Sequence, residues 1–125
     1  VRAWPDLTAL GALRRAAWGG HDDGAAWRAV LEHSLTWITA HDGDALVGFV
    51  NVAWDGGAHA FLLDTTVHPA AQRRGVGGEL VRRAAQAARE HGGVEWLHVD
   101  YEPHLHGFYA ACGFTPTPAG LLRLT

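Results

Sequence analysis

A chain of 125 residues, 48% of them apolar, has room for one domain with its own core and none for a second of ordinary size. Ten arginines and no lysine stand against thirteen acidic residues, and the resulting formal charge of -3 argues against a general nucleic-acid or membrane-surface binder. The lone Cys112 excludes an internal disulfide and a cysteine-rich zinc site, which fits a reducing cytoplasm as the expected location.

No apolar run approaches the roughly 18 residues of a membrane span, and Val1-Arg2-Ala3-Trp4-Pro5 lacks a secretory pattern. Asp6 followed by Leu7, Leu10, Leu13 and Ala17 at helical spacing predicts an N-capped amphipathic helix ending at Gly19-Gly20. Asp23 is placed to cap a second helix whose apolar stripe is Ala26, Trp27, Val30, Leu31 and Leu35, with Arg28 and Glu32 on its wet side. Trp37 to Ala40 and Ala45 to Trp54 flank His41-Asp42-Gly43-Asp44, where Asp-Gly is a hairpin signal, so an antiparallel pair is expected. After a second turn at Asp55-Gly56-Gly57, Ala60 to Val67 is nearly continuous in apolar and β-branched residues, the texture of a central strand covered on both faces.

Val76, Leu80, Val81, Ala84 and Ala88 then recur at helical spacing until His91-Gly92-Gly93, with Glu79 and Arg83 as an i,i+4 pair. Val94 to Asp100 reads as a strand, and the right-handed strand-helix-strand crossover places it parallel to the 60–67 strand. Pro103 to Cys112 suits a short helix, Gly113-Phe114 a turn into a strand, and Leu121 to Leu124 a final edge strand. The expected architecture over 1–125 is a single α+β domain, with antiparallel hairpins early, one β-α-β crossover, and helices on both faces of a mixed sheet.

The segment with most chemistry in it runs from Val67-His68-Pro69 through Gln72-Arg73-Arg74-Gly75-Val76-Gly77-Gly78 and joins a buried strand to a helix. Its glycines allow close backbone approach, and the first N–H groups of the helix have no internal acceptor, so they point at whatever anion lies in the loop. Arg73 and Arg74 add charge to that donor set. The plain alternative is a glycine-rich helix start with two solvated arginines. There is no Gly-Lys-Ser or Gly-Lys-Thr, hence no P-loop, and the third glycine of the dinucleotide fingerprint is missing.

Gln72-x-x-Gly75-x-Gly77 after that strand, followed by Phe108-Tyr109-Ala110-Ala111-Cys112-Gly113-Phe114 one strand later, resembles the GNAT superfamily of acyl-CoA-dependent N-acyltransferases over residues 45–115. The resemblance implies that Arg73, Arg74, Gly75, Val76, Gly77 and Gly78 hold the CoA pyrophosphate. It also implies a splayed central strand pair, in which backbone groups of Thr65, Thr66 and Val67 bond the pantetheine arm as a mock strand. Acetyl-CoA or another acyl-CoA would be the co-substrate and no metal is needed. Tyr109 matches the tyrosine that protonates the departing thiolate in many relatives, and a phenol with an ordinary pKa of about 10 is protonated at neutral pH; packing beside Phe108 is its other reading.

The acceptor side departs from the pattern. Where several relatives carry a Glu on the first central strand, this chain has Phe61 and Leu63, leaving Asp64 either to bind an amine or relay its proton, or as a satisfied structural carboxylate. Asp100 and Glu102 are further base or substrate-binding candidates. Together with His98, His104 and His106 they suggest a metal site less well than a solvated or acceptor-facing cluster, because Pro103 breaks the run. Trp18, Trp27 and Trp37 are expected in the core first and at the acceptor pocket second, and Cys112 as a packing residue rather than a nucleophile.

The expected activity is acetyl transfer to an amine of a small molecule or peptide, with the carboxylates tilting the choice toward a cationic small molecule. A non-catalytic acyl-CoA-binding module of the same fold is the alternative. Homodimerisation through the last strands is common in the family, although Leu121 to Leu124 equally suits an ordinary sheet edge.

Overall fold

The computed structural model describes residues 4–125. Val1, Arg2 and Ala3, part of the segment read as lacking a secretory pattern, lie outside the described residues. Helix α1 (Leu7–Trp18) begins where predicted, with the Asp6 carboxylate accepting the Ala9 N–H at 3.1 Å. It ends at Gly19, whose φ of 75° takes the chain out of the helix.

Helix α2 (Trp27–Glu32) is shorter than expected. Asp23 accepts the Ala25 N–H before the helix begins rather than capping it, and only Trp27 and Leu31 of the predicted stripe are buried. Leu35 belongs instead to strand β1 (Ser34–Asp42). The β-branched residues Thr36, Ile38 and Thr39 that follow favour the extended chain, and pairing with the next strand draws Ser34 and Leu35 in with them.

Strands β1, β2 (Ala45–Trp54), β3 (His59–Val67) and β4 (Trp96–His98) form one sheet in that order. The first three are antiparallel and β4 runs parallel to β3, as the crossover rule requires. Helix α3 (Val76–His91) makes the crossover and buries Leu80, Val81 and Ala84 against Val50, Val52, Ala60 and Leu62, with Ala88 buried one turn further on. Each fully buried Leu or Val of that set contributes about 1.5–3 kcal/mol relative to exposure. On the opposite face Leu10, Leu13, Trp27 and Leu31 pack on Trp37 and Phe49, so the sheet has helices on both sides. Helix α4 (His106–Ala111) follows a short 3-10 turn.

Three expectations are corrected. Strand β3 is central, but Leu63 is 38% exposed, because α1 and α2 cover only part of their face of the sheet. Strand β4 is three residues long, not seven, so Asp100 lies beyond it. No strand forms after Gly113 among the described residues. Leu121, Leu122 and Leu124 are 84–88% exposed, since a short apolar run becomes a strand only when an edge accepts its backbone groups.

Candidate functional site

The site is organised by the way β3 parts from both neighbours. Its pairing with β4 covers only His59–Phe61 against Trp96–His98, held in addition by a 2.7 Å hydrogen bond between His59 Nδ1 and His98 Nε2. Beyond Phe61 the two strands separate, and the β4-facing edge of residues 62–67 has no β4 partner. This is the splay expected of the central pair.

On its other edge β3 carries a bulge. Phe49 pairs with Thr66 and Asn51 with Leu63, so Asp64 and Thr65 together oppose Val50. Asp64 takes φ 61°, in the left-handed region. The other non-glycine residue in that region among the described residues is Arg73, at φ 65°, in the loop before α3. Such conformations cost energy and gather where function holds them in place.

The loop is fastened to β3, which it leaves, by Gln72 Nε2 donating to the Val67 carbonyl at 3.3 Å, and to β2 by the His68 N–H donating to the Val47 carbonyl at 2.8 Å. Gly75, at φ 79°, precedes α3 without any side-chain cap, so the amides of Val76, Gly77 and Gly78 open the helix with no internal acceptor. A groove of about 300 Å³ lies over them, lined by Val67, Gln72, Arg73, Gly77, Gly78 and Phe108. A Cβ built on Gly77 would lie 3.5 Å from the Phe108 ring and 3.6 Å from Val67, so alanine fits there while a longer side chain enters the groove. Arg74 diverges from Arg73. It lines a second groove of about 350 Å³ between α3 and β1, with His41, Glu79 and Arg83.

Tyr109 is buried on α4, where the Tyr101 ring stacks on it at 4.8 Å and Phe108 and Phe114 meet it edge-on at 4.9 and 5.7 Å. Burial pushes the phenol above its ordinary value, the nearby Thr65 side chain on the bulge opposes this, and the nearby Cys112 and Asp100 charges add to the rise. Burial also raises the Cys112 thiol, away from a reactive thiolate.

Asp64 faces α1. Its carboxylate lies 4.0 Å from Arg14 Nη2. Burial raises its pKa, while the Arg14 charge and then the nearby Asn51 amide pull it down. Arg14 Nη1 donates to the Thr66 hydroxyl at 2.8 Å, and Thr66 donates to the Asp64 carbonyl at 2.8 Å. The guanidinium lies 5.3 Å from the Trp27 ring and 6.0 Å from the Trp18 ring, and the Trp18 indole N–H also reaches Thr66 at 3.4 Å.

The structure thus brings Asp64, Thr65, Thr66 and Tyr109 together at the bulge, with Val67 next to them at the end of β3 and Arg73 through Gly78 one loop away. Glu102 is exposed at the start of the 3-10 turn, and Asp100 reaches the cluster only through its charge. Trp27 and Trp37 are core residues, whereas Trp18 is 66% exposed beside Thr66. No group of three or more metal-ligating side chains occurs among the described residues. Sequence reasoning missed Arg14 and Asn51. Arg14 falls four residues after Leu10 and seven after Leu7, on the apolar stripe of α1, and Asn51 interrupts the apolar run of β2; a polar residue in either setting is the signal.

The model of the Acetyltransferase (GNAT) family matches residues 7–114. No curated protein matches the chain. Among solved structures, a GNAT-family acetyltransferase from Streptococcus pneumoniae is 27% identical, with a TM-score of 0.81 over 98% of this chain and 92% of that one. A probable acetyltransferase from Staphylococcus aureus is 22% identical, with a TM-score of 0.82 over 100% and 96% of the two chains. AAC(6')-Iy, solved with the bisubstrate analogue CoA-S-monomethyl-acetylneamine, is 20% identical, with a TM-score of 0.74 over 95% and 90%. The last two likenesses are of fold.

Proposed function

The chain belongs to the acetyltransferase (GNAT) family, and on that premise we propose that it transfers an acetyl group from acetyl-CoA to the amine of a small molecule or peptide by direct attack in a ternary complex. The observation that carries this reading is the continuity of two features: the β4-facing edge of β3 over residues 62–67, which β4 leaves uncovered, leads through the 68–75 loop to the uncapped N-terminus of α3. The first suits an extended amide-bearing arm and the second a pyrophosphate.

In this reading Thr65, Thr66 and Val67 offer the arm backbone groups, and the amides of Val76, Gly77 and Gly78 hold the phosphates. Arg73, in the same groove, adds a charge to them. Arg74 serves a different part of CoA from Arg73, because the two side chains line separate grooves.

Asp64 removes the proton of the acceptor amine. Its nitrogen bonds to the acyl carbon as the carbon–sulfur bond breaks, and Tyr109 donates its phenolic proton to the departing thiolate sulfur. Burial suits both groups to these tasks, since it keeps Tyr109 protonated and makes Asp64 a stronger base than an ordinary aspartate.

A second reading, a non-catalytic acyl-CoA-binding module, is favoured by the apolar Phe61 and Leu63 at the positions where a strand glutamate would stand. The two are separated by following CoA thiol release with acetyl-CoA and a panel of primary amines. Amine-dependent release that Tyr109→Phe lowers supports transfer; acetyl-CoA binding without release from any amine supports the binding module.

A further inference from the structure

The acceptor side of the bulge carries both signs of charge, and the arrangement speaks to what the acceptor is. Arg14 uses one N–H on Thr66, out of the five a guanidinium carries. Its other terminal nitrogen stands 4.0 Å from Asp64, longer than a direct charge-assisted hydrogen bond of about 2.8 Å. The guanidinium and carboxylate are 22% and 31% exposed, so both still reach solvent. The pair is open.

The surroundings fix that opening rather than leaving it to side-chain motion. Trp27 lies beside the guanidinium, Thr66 anchors it from β3, and the left-handed backbone of Asp64 sets the direction in which its side chain leaves the strand. The exposed Trp18 indole borders the same place through Thr66. Resting on the reading of this site as the acyl-transfer centre, we infer that its acceptor is an α-amino acid or another amine with a carboxylate one carbon away, whose carboxylate binds Arg14 and whose amine is received by Asp64.

The charges select for this class. A simple ammonium brought to Asp64 comes close to the Arg14 cation and is repelled by it. An amine with an adjacent carboxylate presents a negative group to Arg14 and a positive one to Asp64, so each partly buried charge gains an opposite partner. Once the proton has passed to Asp64, the neutral amine attacks the thioester while its carboxylate stays on Arg14. The cationic small molecule to which the carboxylates alone pointed is thereby replaced by a zwitterion, because Arg14 was absent from that reasoning.

The test needs no variant to begin. Thiol release from acetyl-CoA is measured with the full chain for glycine, alanine, leucine and phenylalanine, each beside its carboxamide and its decarboxylated amine. The carboxamides lose their amine proton more readily, so intrinsic reactivity runs against the expected result. The amino acids should nevertheless show kcat/KM at least about tenfold higher, the smallest factor a charge-assisted hydrogen bond is worth. In Arg14→Gln that preference should vanish through a higher KM for the amino acids. Equal or better turnover of the carboxamides would overturn the inference and leave amine acetylation standing, whereas no release with any amine would overturn acetylation itself.

Discussion

Arg14 on α1 donates to the Thr66 hydroxyl on β3 across 2.8 Å, tying the helix to the strand immediately after its bulge. Through this bond α1 holds a cation 4.0 Å from the Asp64 carboxylate, where it opposes the effect of burial. Removing the cation therefore lets the Asp64 pKa rise. If Asp64 must be ionised to accept a proton, the acid limb of the kcat profile moves to higher pH in Arg14→Ala. Arg14→Lys keeps a charge and should restore part of the wild-type position. A pH series on the three proteins checks this, and an unmoved limb would separate Asp64 from the proton transfer.

Asp64→Asn should trade activity for stability. The folded-state pKa of Asp64 is raised, so its contribution to stability is present below the unfolded pKa and is lost as pH rises through the folded value. Asparagine stays neutral over that range and tolerates the left-handed backbone at least as well. Melting curves should show the variant gaining on the wild type as pH rises from acid to neutral, while thiol release falls by about 10²-fold or more. A stability difference from the wild type that stays constant across this pH range would contradict the assignment.

Tyr109→Phe keeps the ring that Tyr101, Phe108 and Phe114 enclose and removes only the hydroxyl. Acetyl-CoA affinity and folding should persist while kcat falls by about 10²-fold. Tyr109→Ala is a different experiment, because emptying that aromatic site costs about 3–5 kcal/mol of stability. Calorimetry beside kinetics distinguishes the two. Because burial raises the phenol, the wild-type enzyme should show no alkaline loss from this group below its ordinary value of about 10.

Gly11→Ala should damage the placement of α1 rather than the chemistry. A Cβ there would come within 2.5 Å of the Gly24 nitrogen, so helix and loop must move apart. Overpacking of this kind costs about 1–3 kcal/mol. The expected result is a lower melting temperature with an unchanged pH optimum for the surviving activity.

The loop and the crossover were legible because their signals are local: two arginines and three glycines sit together between residues 73 and 78, and the helix stripe follows at once, from 76 to 88. Tyr109 was legible through its motif. Arg14 was not, because its meaning lies in Thr66, Trp27 and Asp64, which lie 13 to 52 residues away and meet only in the folded chain. Asp64 was visible as a carboxylate, but its bulge depends on register with β2, which no single strand displays. The lost strand at Leu121 to Leu124 shows the same limit from the other side: its pattern is adequate, and strand formation depends on a partner edge.

The most direct measurement is a calorimetric titration with acetyl-CoA, CoA and a dephosphorylated pantetheine analogue, performed on the wild type, Gly77→Ala and Gly77→Glu. The alanine Cβ meets only ordinary contacts, whereas the glutamate fills the groove over the α3 amides and repels phosphate. The wild type and Gly77→Ala should bind acetyl-CoA and CoA well above the analogue, and Gly77→Glu should bind neither while keeping its fold by circular dichroism. Undiminished binding by Gly77→Glu, or none by the wild type, would contradict a CoA site at this helix.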